Sequence, residues 1–159
     1  MEEEIPVLIK KLFSDDGIER RKARHDLVTI GKPVIRFLIG LQYLPEQHVR
    51  WEAIKTLSQI ADPDSIPILV NALENRNHDV RWLAAEGLIE IGERSVMPLL
   101  LALEERGDSP ELKVRVHHIL KSLEEKGLFK DDYGIIGMLE DHGRHDEARI
   151  SAERFRLRV

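Results

Sequence analysis

The chain has 159 residues, of which 42% are hydrophobic and 33% charged, and its net charge is −5 at pH 7. Its length suits a single domain, its acidic balance argues against a general nucleic-acid binder, and its lack of cysteine excludes disulfides, thiolate metal ligands and a thiol nucleophile. No apolar stretch approaches the ~20 residues that a membrane span needs, and the N-terminal residues lack the pattern of a signal peptide, so we expect a soluble, cytoplasmic protein.

One short motif recurs along the chain. Residues 48–57 read HVRWEAIKTL, and residues 79–88 read DVRWLAAEGL. Their arginines belong to a series with intervals of 30, 31 and 34 residues, which consists of Arg20, Arg50, Arg81 and Arg115. A period of about 20–50 residues indicates an array of stacked units rather than one globule.

Each unit is predicted to contain two helices. The first opens with an apolar stretch, at residues 5–9, 34–38, 66–70 and 96–100. After a polar turn, apolar residues recur with the i, i+3, i+4 spacing of one helical face, as at Val80, Leu83 and Ala84. Gly31, Gly92 and Gly127 lie where second helices would end. The pattern predicts four helix–turn–helix repeats, at about residues 4–31, 32–61, 62–92 and 93–127.

One position in the first helices predicts where the array begins. Gly40, Ala72 and Ala102 share this position in repeats two to four, where a small residue would let the helix lie close to the preceding repeat. Repeat one has Lys11 there, which fits a capping repeat whose outer side faces water. We therefore expect the array to begin near residue 4.

The second helix of the third repeat carries the fullest form of the motif, DVRWLAAEGLIEIG at residues 79–92. It resembles the second-helix consensus of the HEAT-repeat superfamily, in particular the short HEAT-like repeats of bilin (phycocyanobilin) lyases. The resemblance covers residues 4–126 and implies an all-α, right-handed α-solenoid of four HEAT-like repeats with a C-terminal capping segment. It is unspecific for function, because the superfamily consists mostly of protein-interaction scaffolds and includes a few enzymes.

Residues 128–159 do not continue the repeat and are interpreted as a C-terminal cap and a charged tail. A terminal helix at residues 133–139 would cover Ile119, Leu120 and Leu123 of the last repeat, as the end of a solenoid requires. The alternative is a peptide arm that reaches another subunit and ends in a disordered, arginine-rich segment.

The four recurring arginines are interpreted as a structural ladder. An arginine near the start of each second helix can bond to carbonyls or acids of neighbouring turns, and its planar guanidinium suits that role. The alternative is a row that binds phosphate, which the acidic net charge opposes.

The sequence predicts neither a metal site, nor a cofactor, nor an enzymatic activity. His142 and His145 lie three residues apart beside two aspartates, but Gly143 would interrupt a helix that brought them to one ion, and a solvated loop has the same composition. No Ser/His/Asp order, Gly-rich phosphate loop or pair of catalytic carboxylates occurs at a meaningful spacing.

A helical projection places Arg21, Trp51, Trp82 and Val116 in one row on the inner surface of the array. Exposed tryptophans are enriched in binding hot spots, so we predict a partner-binding site there. The predicted site consists of Trp51, Trp82, Ile54, Ile89 and Val116, with Arg21, Arg24 and Lys55 as its polar rim. The alternative is that the curvature of the array or the C-terminal segment buries the tryptophans.

The predicted function is therefore that of a non-enzymatic scaffold that binds a protein partner on its concave face. The alternative is an accessory or lyase-like protein in which the array holds a cofactor or substrate, and a ligand-sized cavity with convergent polar groups would favour it. The sequence predicts no membrane partner, makes a nucleic-acid partner improbable, and leaves the oligomeric state open.

Overall fold

The computed structural model describes residues 4–141 and 143–158. Within these ranges the chain forms helices and no β-strand. The helices are α1 Ile5–Lys11, α2 Gly17–Ile30, α3 Ile35–Leu38, α4 Gln47–Ile60, α5 Ile66–Ala72, α6 His78–Ile91, α7 Val96–Arg106, α8 Pro110–Glu125, α9 Ile135–Glu140 and α10 His145–Arg158. Across the described residues, none of these helices has both the length and the apolar character that crossing a membrane would require.

α2 and α6 begin and end at residues that suit helix ends. Asp16 and Asn77 precede α2 and α6, and each side chain accepts a hydrogen bond from a backbone N–H of the first turn. α2, α4 and α6 are followed by Gly31, Ala61 and Gly92, with φ angles of 77°, 50° and 84°. Glycine adopts such angles without steric cost, which suits the predicted stops at Gly31 and Gly92, whereas α4 ends at an alanine with positive φ.

Helices of the same kind pack against each other along the array. α2 contacts α4, α4 contacts α6, and α6 contacts α8, while α1 contacts α3 and α5 contacts α7 on the other side. The leucines that end or lie within these helices, such as Leu27, Leu57, Leu88 and Leu120, are fully buried between the layers. The chain is thus an all-α solenoid with one continuous hydrophobic core.

The first helix of the second repeat departs from the prediction. It is split into a 3₁₀ turn at Lys32–Val34, the short α3, and a second 3₁₀ turn at Ile39–Tyr43. Gly40 lies in that second turn and is exposed, and a Cβ atom on it would meet nothing within 4 Å. The expectation that Gly40 lies close to the preceding repeat is therefore wrong, whereas Ala72 and Ala102 are buried.

The fourth repeat has a different register from the predicted one. Arg20, Arg50 and Arg81 are each the fourth residue of their helix, but the fourth residue of α8 is Lys113. The burial pattern agrees, since Leu112, Val116 and Leu120 of α8 are buried, as are the third, seventh and eleventh residues of α6. Alignment on the Val-Arg pair at 114–115 therefore misplaced this repeat by two residues.

α4 and α6 approach each other most closely at Gly87. A Cβ atom on Gly87 would lie 2.7 Å from Ser58 Oγ and 2.9 Å from Ser58 Cα. The Ser58 hydroxyl donates a hydrogen bond of 2.5 Å to the carbonyl of Leu83, which ties the two helices together at the same level. Only glycine fits at position 87 without moving one helix.

The C-terminal segment folds back on the array as two helices. α9 packs on α8, and α10 packs on both α9 and α7. Arg149 Nη2 donates to the carbonyl of Glu104 at 3.0 Å, and Arg156 bonds to both carboxylate oxygens of Glu104 at 3.0 Å each. The part of the tail that the alternative treated as disordered is therefore helical up to Arg158.

We expect Gly87→Ala to destabilise the fold, because the added methyl group would collide with Ser58. Forcing an extra methyl group into a packed interface costs about 1–3 kcal/mol. Chemical denaturation monitored by circular dichroism measures the change. Gly40→Ala is the matched control, since its methyl group would meet open space, and it should leave stability unchanged or raise it slightly. Equal effects of the two substitutions would contradict this account of the α4–α6 contact.

We also expect deletion of residues 128–159 to lower the melting temperature. The deletion would remove Phe129, Ile135 and Leu139, which are buried against the array, and complete burial of such side chains contributes about 1.5–3 kcal/mol each. Leu157→Ser is the control, because Leu157 is exposed on α10. A truncated chain that melts at the parental temperature and stays monomeric would show that the segment acts as an arm.

Candidate functional site

The fifth residues of the second helices form one row, which we call the tryptophan row. It consists of Arg21, Trp51, Trp82 and Val114. Trp82 is 46% exposed and Val114 is 59% exposed, whereas Trp51 is half-buried against the core. Because successive second helices pack side by side, the row runs across α2, α4, α6 and α8.

The ninth residues of the same helices form a second row one turn along. This row consists of His25, Lys55, Glu86 and His118. Residues four apart lie on the same helical face, so the second row borders the tryptophan row. His118 Nε2 lies 3.6 Å from Glu86 Oε1 and links the last two members.

Three of the predicted site residues are not surface residues. Ile54, Ile89 and Val116 are buried and belong to the hydrophobic core. Ile54 and Val116 are fully inaccessible because they face neighbouring helices in the stack. In the register that the structure shows, Val114 takes the place next to Trp82 that the sequence assigned to Val116.

Arg24 is also placed differently from the predicted polar rim. Its side chain is only 13% exposed and forms an ion pair with Glu52. The Arg24 guanidinium carbon lies 5.4 Å from the centre of the Trp51 ring, in the geometry of a cation–π contact. Arg24 therefore packs against the Trp51 ring and is not part of an exposed rim. Of the predicted rim cations, Arg21 and Lys55 reach the surface.

Glu52 is the residue that the sequence analysis missed. It is buried in α4, and its two carboxylate oxygens pair with Arg20 and Arg24 of α2. A buried carboxylate is costly unless it is paired and hydrogen-bonded, and the two guanidiniums satisfy this requirement. The signal was available, since Glu52 occupies a helical position that holds Leu83 in the next repeat.

The predicted arginine ladder binds the turns that precede the second helices. Arg20 Nη1 donates to the carbonyls of Ser14 and Asp15 at 2.8 and 3.1 Å. Arg50 contacts the carbonyls of Leu44 and Pro45, and Arg81 contacts those of Asn75 and Arg76, in the same way. Each arginine reaches back five and six residues, to carbonyls of the turn just before its helix.

Arg115 has no hydrogen bond of this type within the described ranges. It is the sixth residue of α8, so the residues five and six positions before it are Pro110 and Ser109, at the helix start itself. Its Nε atom is buried without a hydrogen-bond partner. Arg115 is thus outside the set of carbonyl-binding arginines because the register of repeat four differs.

The histidines lie mainly at the C-terminal end. His117 Nε2 lies 3.0 Å from Glu140 Oε1, and this hydrogen bond, with the Lys121 ammonium nearby, lowers the pKa of Glu140 below its ordinary value. Because the pKa of Glu140 is lowered, its hydrogen bond to His117 stabilises the α8–α9 contact at neutral pH. This stabilisation is lost as the pH falls through the pKa of Glu140.

The structure describes only one of the two histidines that were considered as metal ligands. His142 lies outside the described residues, and His145 Nδ1 lies 3.0 Å from Lys113 Nζ. Within residues 4–141 and 143–158, no group of three or more potential ligands surrounds one point.

We expect Glu52→Gln to destabilise the chain, because it would leave Arg20 and Arg24 without a counter-charge at a largely buried position. Loss of a charged hydrogen-bond partner typically costs about 1–3 kcal/mol. The same change should alter the emission of Trp51, since Arg24 would no longer be held over its ring. Glu90→Gln, on the exposed side of α6, is the control. Unchanged stability and emission in Glu52→Gln would contradict the proposed role of the buried carboxylate.

Solved structures and curated proteins were compared with the chain. One chain of the complex of CpcE and CpcF of phycocyanin lyase from Nostoc sp. PCC7120 is similar in fold, with a TM-score of 0.63 and 20% identity over 95% of this chain and 98% of that chain. A designed armadillo repeat protein in complex with a (KR)4 peptide gives a TM-score of 0.43 and 19% identity over 94% of this chain and 80% of that chain. The comparison with curated proteins found no match.

The sequence also matches the family described as HEAT repeats, over residues 5–88 and 37–121. Together these matches span most of the array, from α1 into α8. The chain belongs to the HEAT-repeat family.

Proposed function

We propose that the chain is a non-enzymatic scaffold that binds a protein partner on the concave face formed by its second helices. The observation that carries this proposal is the exposure of Trp82 at the middle of the tryptophan row. Tryptophan is among the residues that contribute most to binding energy when an interface covers them. A large exposed aromatic side chain on a rigid helix is therefore a strong candidate for the centre of an interface.

The surroundings of Trp82 support this proposal. Val114, on the adjacent helix α8, is exposed as well, so two apolar side chains face solvent at equivalent positions. The backbone beneath them is held by the close α4–α6 contact and by the core. A preorganised surface loses little conformational freedom on binding, which favours affinity.

The structure changes the role that we assign to each tryptophan. Trp51 packs against the core and carries Arg24 on its ring, so its removal would disturb the fold as well as the surface. A substitution at Trp82, which is exposed, can therefore test binding without disturbing the core.

The alternative function is an accessory or lyase-like role in which the array holds a cofactor or substrate. Its support is the likeness to a chain of the phycocyanin lyase complex, which at 20% identity is a likeness of fold. A groove of about 620 Å³ does exist, but it lies between α1 and α2 and is lined by Val7, Leu8 and Ile30 among others. We favour protein binding because the exposed apolar residues Trp82 and Val114 of the second helices do not line this groove.

We expect Trp82→Ala to abolish capture of the native partner from a cell lysate while changing the melting temperature little. Tyr43→Ala is the matched control, because Tyr43 is an exposed aromatic residue in the 3₁₀ turn at Ile39–Tyr43, away from the tryptophan row. Affinity capture with mass spectrometry identifies the partner, and calorimetry with the purified partner gives its affinity for each variant. Loss of a hot-spot tryptophan should weaken binding by at least about 2 kcal/mol. Equal binding by wild type and Trp82→Ala would refute this site.

A further inference from the structure

Two cations beside Trp51 have no counter-ion within residues 4–141 and 143–158. Arg21 is the neighbour of Trp51 in the tryptophan row, and Lys55 follows Trp51 by one turn of α4. Some other cations of the array form ion pairs, such as Lys32 with Asp64 at 2.7 Å and Arg106 with Glu74 at 2.6 Å. Arg21 and Lys55 form none with any residue of the described ranges.

The carboxylates of α2 and α4 are directed away from this surface. Glu52 is the single acidic residue of α4, and its charge is neutralised internally by Arg20 and Arg24. Glu19 and Asp26 of α2 line a groove together with Lys11 of α1, on the opposite side of α2 from α4. The surface between α2 and α4 is therefore positive, although the chain as a whole carries a net charge of −5.

The other half of the same surface combines exposed apolar side chains with the carboxylates of Asp79 and Glu90. Trp82 and Val114 are exposed on α6 and α8, and the nearby carboxylate of Glu86 is engaged with His118. A partner that spans the four helices would thus meet unpaired positive charge at one end and apolar side chains at the other.

We propose that this surface binds an acidic segment of the partner protein, with its carboxylates on Arg21 and Lys55 and an apolar side chain over Trp82 and Val114. This inference rests on the proposed function and adds the chemistry of the partner. Complementary charge of this kind speeds association and selects among partners. A nucleic acid fits less well, because phosphate binding gains its strength from several cations in succession, whereas this surface offers Arg21 and Lys55.

A random peptide library displayed on phage tests the chemistry directly. We expect peptides selected on the wild-type chain to be enriched in Asp and Glu and to contain a large apolar residue. A selected peptide, labelled with a fluorophore, then reports affinity by anisotropy. Its binding should weaken as the salt concentration rises, because exposed charge pairs are screened.

Charge reversal identifies the cations involved. We expect the double substitution Arg21→Glu, Lys55→Glu to weaken binding of the selected peptide by at least about tenfold, since like charges would then face each other. Lys22→Glu is the matched control, because Lys22 adjoins Arg21 in sequence but lines the groove on the α1 side. Each variant is compared with wild type by thermal melting, so that loss of binding is read only from folded protein.

The outcomes separate this inference from the proposed function. Selected peptides that need Trp82 but carry no acidic bias would overturn the inference and leave the proposed binding surface in place. Selected peptides that bind equally well to Trp82→Ala would overturn both, as would a library that yields no enriched sequence. Poly(U) RNA that binds at physiological salt through Arg21 and Lys55, without an acidic bias among the peptides, would replace the acidic segment by a nucleic acid.

Discussion

The architecture depends on how closely the second helices pack. At Gly87 the backbone of α6 lies within van der Waals contact of Ser58 in α4, with a hydrogen bond from Ser58 to the carbonyl of Leu83 at the same level. Such close approach covers the residues on the flanks of each helix, including Ile54 and Ala85. What remains exposed is a narrow face, and the tryptophan row occupies it. The proposed binding surface is in this sense a consequence of the packing.

The arginines near this face have two structural roles. Arg20, Arg50 and Arg81 are engaged with backbone carbonyls of the turns, where their fixed geometry joins a helix to the turn before it. Arg24 and Glu52 neutralise each other beneath Trp51. These groups hold the array together and are not available to a ligand. Arg21 and Lys55 form no ion pair within the described ranges and lie beside Trp51, so they are the cations of this face that a partner can reach.

Much of the fold was predictable because each repeat buries one apolar face with a constant period. The spacing of Val80, Leu83 and Ala84 predicts a helix that buries these residues, and the structure confirms this in α6. Gly31 and Gly92 predict the ends of α2 and α6. The register of repeat four was wrong because the Val-Arg pair at 114–115 looked like the motif, whereas burial of Leu112 and Val116 sets the register. For this repeat, the helical spacing of buried residues predicts the register better than a local sequence match does.

The candidate site was predictable only in part. Helical projection places Trp82 correctly on the exposed side, but it treats every residue of that side as accessible and so included Ile54 and Ile89. Whether a residue near the edge of a helical face is exposed depends on the distance to the next helix, which a projection does not contain. The ion pairs that fold α10 onto α7, such as Arg156 with Glu104, join residues 52 positions apart and lie outside any repeat pattern.

Site-specific photo-cross-linking tests the central claim most directly. A photo-reactive phenylalanine analogue placed at position 82 should, on irradiation in native lysate, form a covalent adduct with one partner protein, and the same analogue at position 43 should not. That result would place the partner on the tryptophan row. Adducts at position 43 with none at position 82 would show that the partner binds another surface of the array.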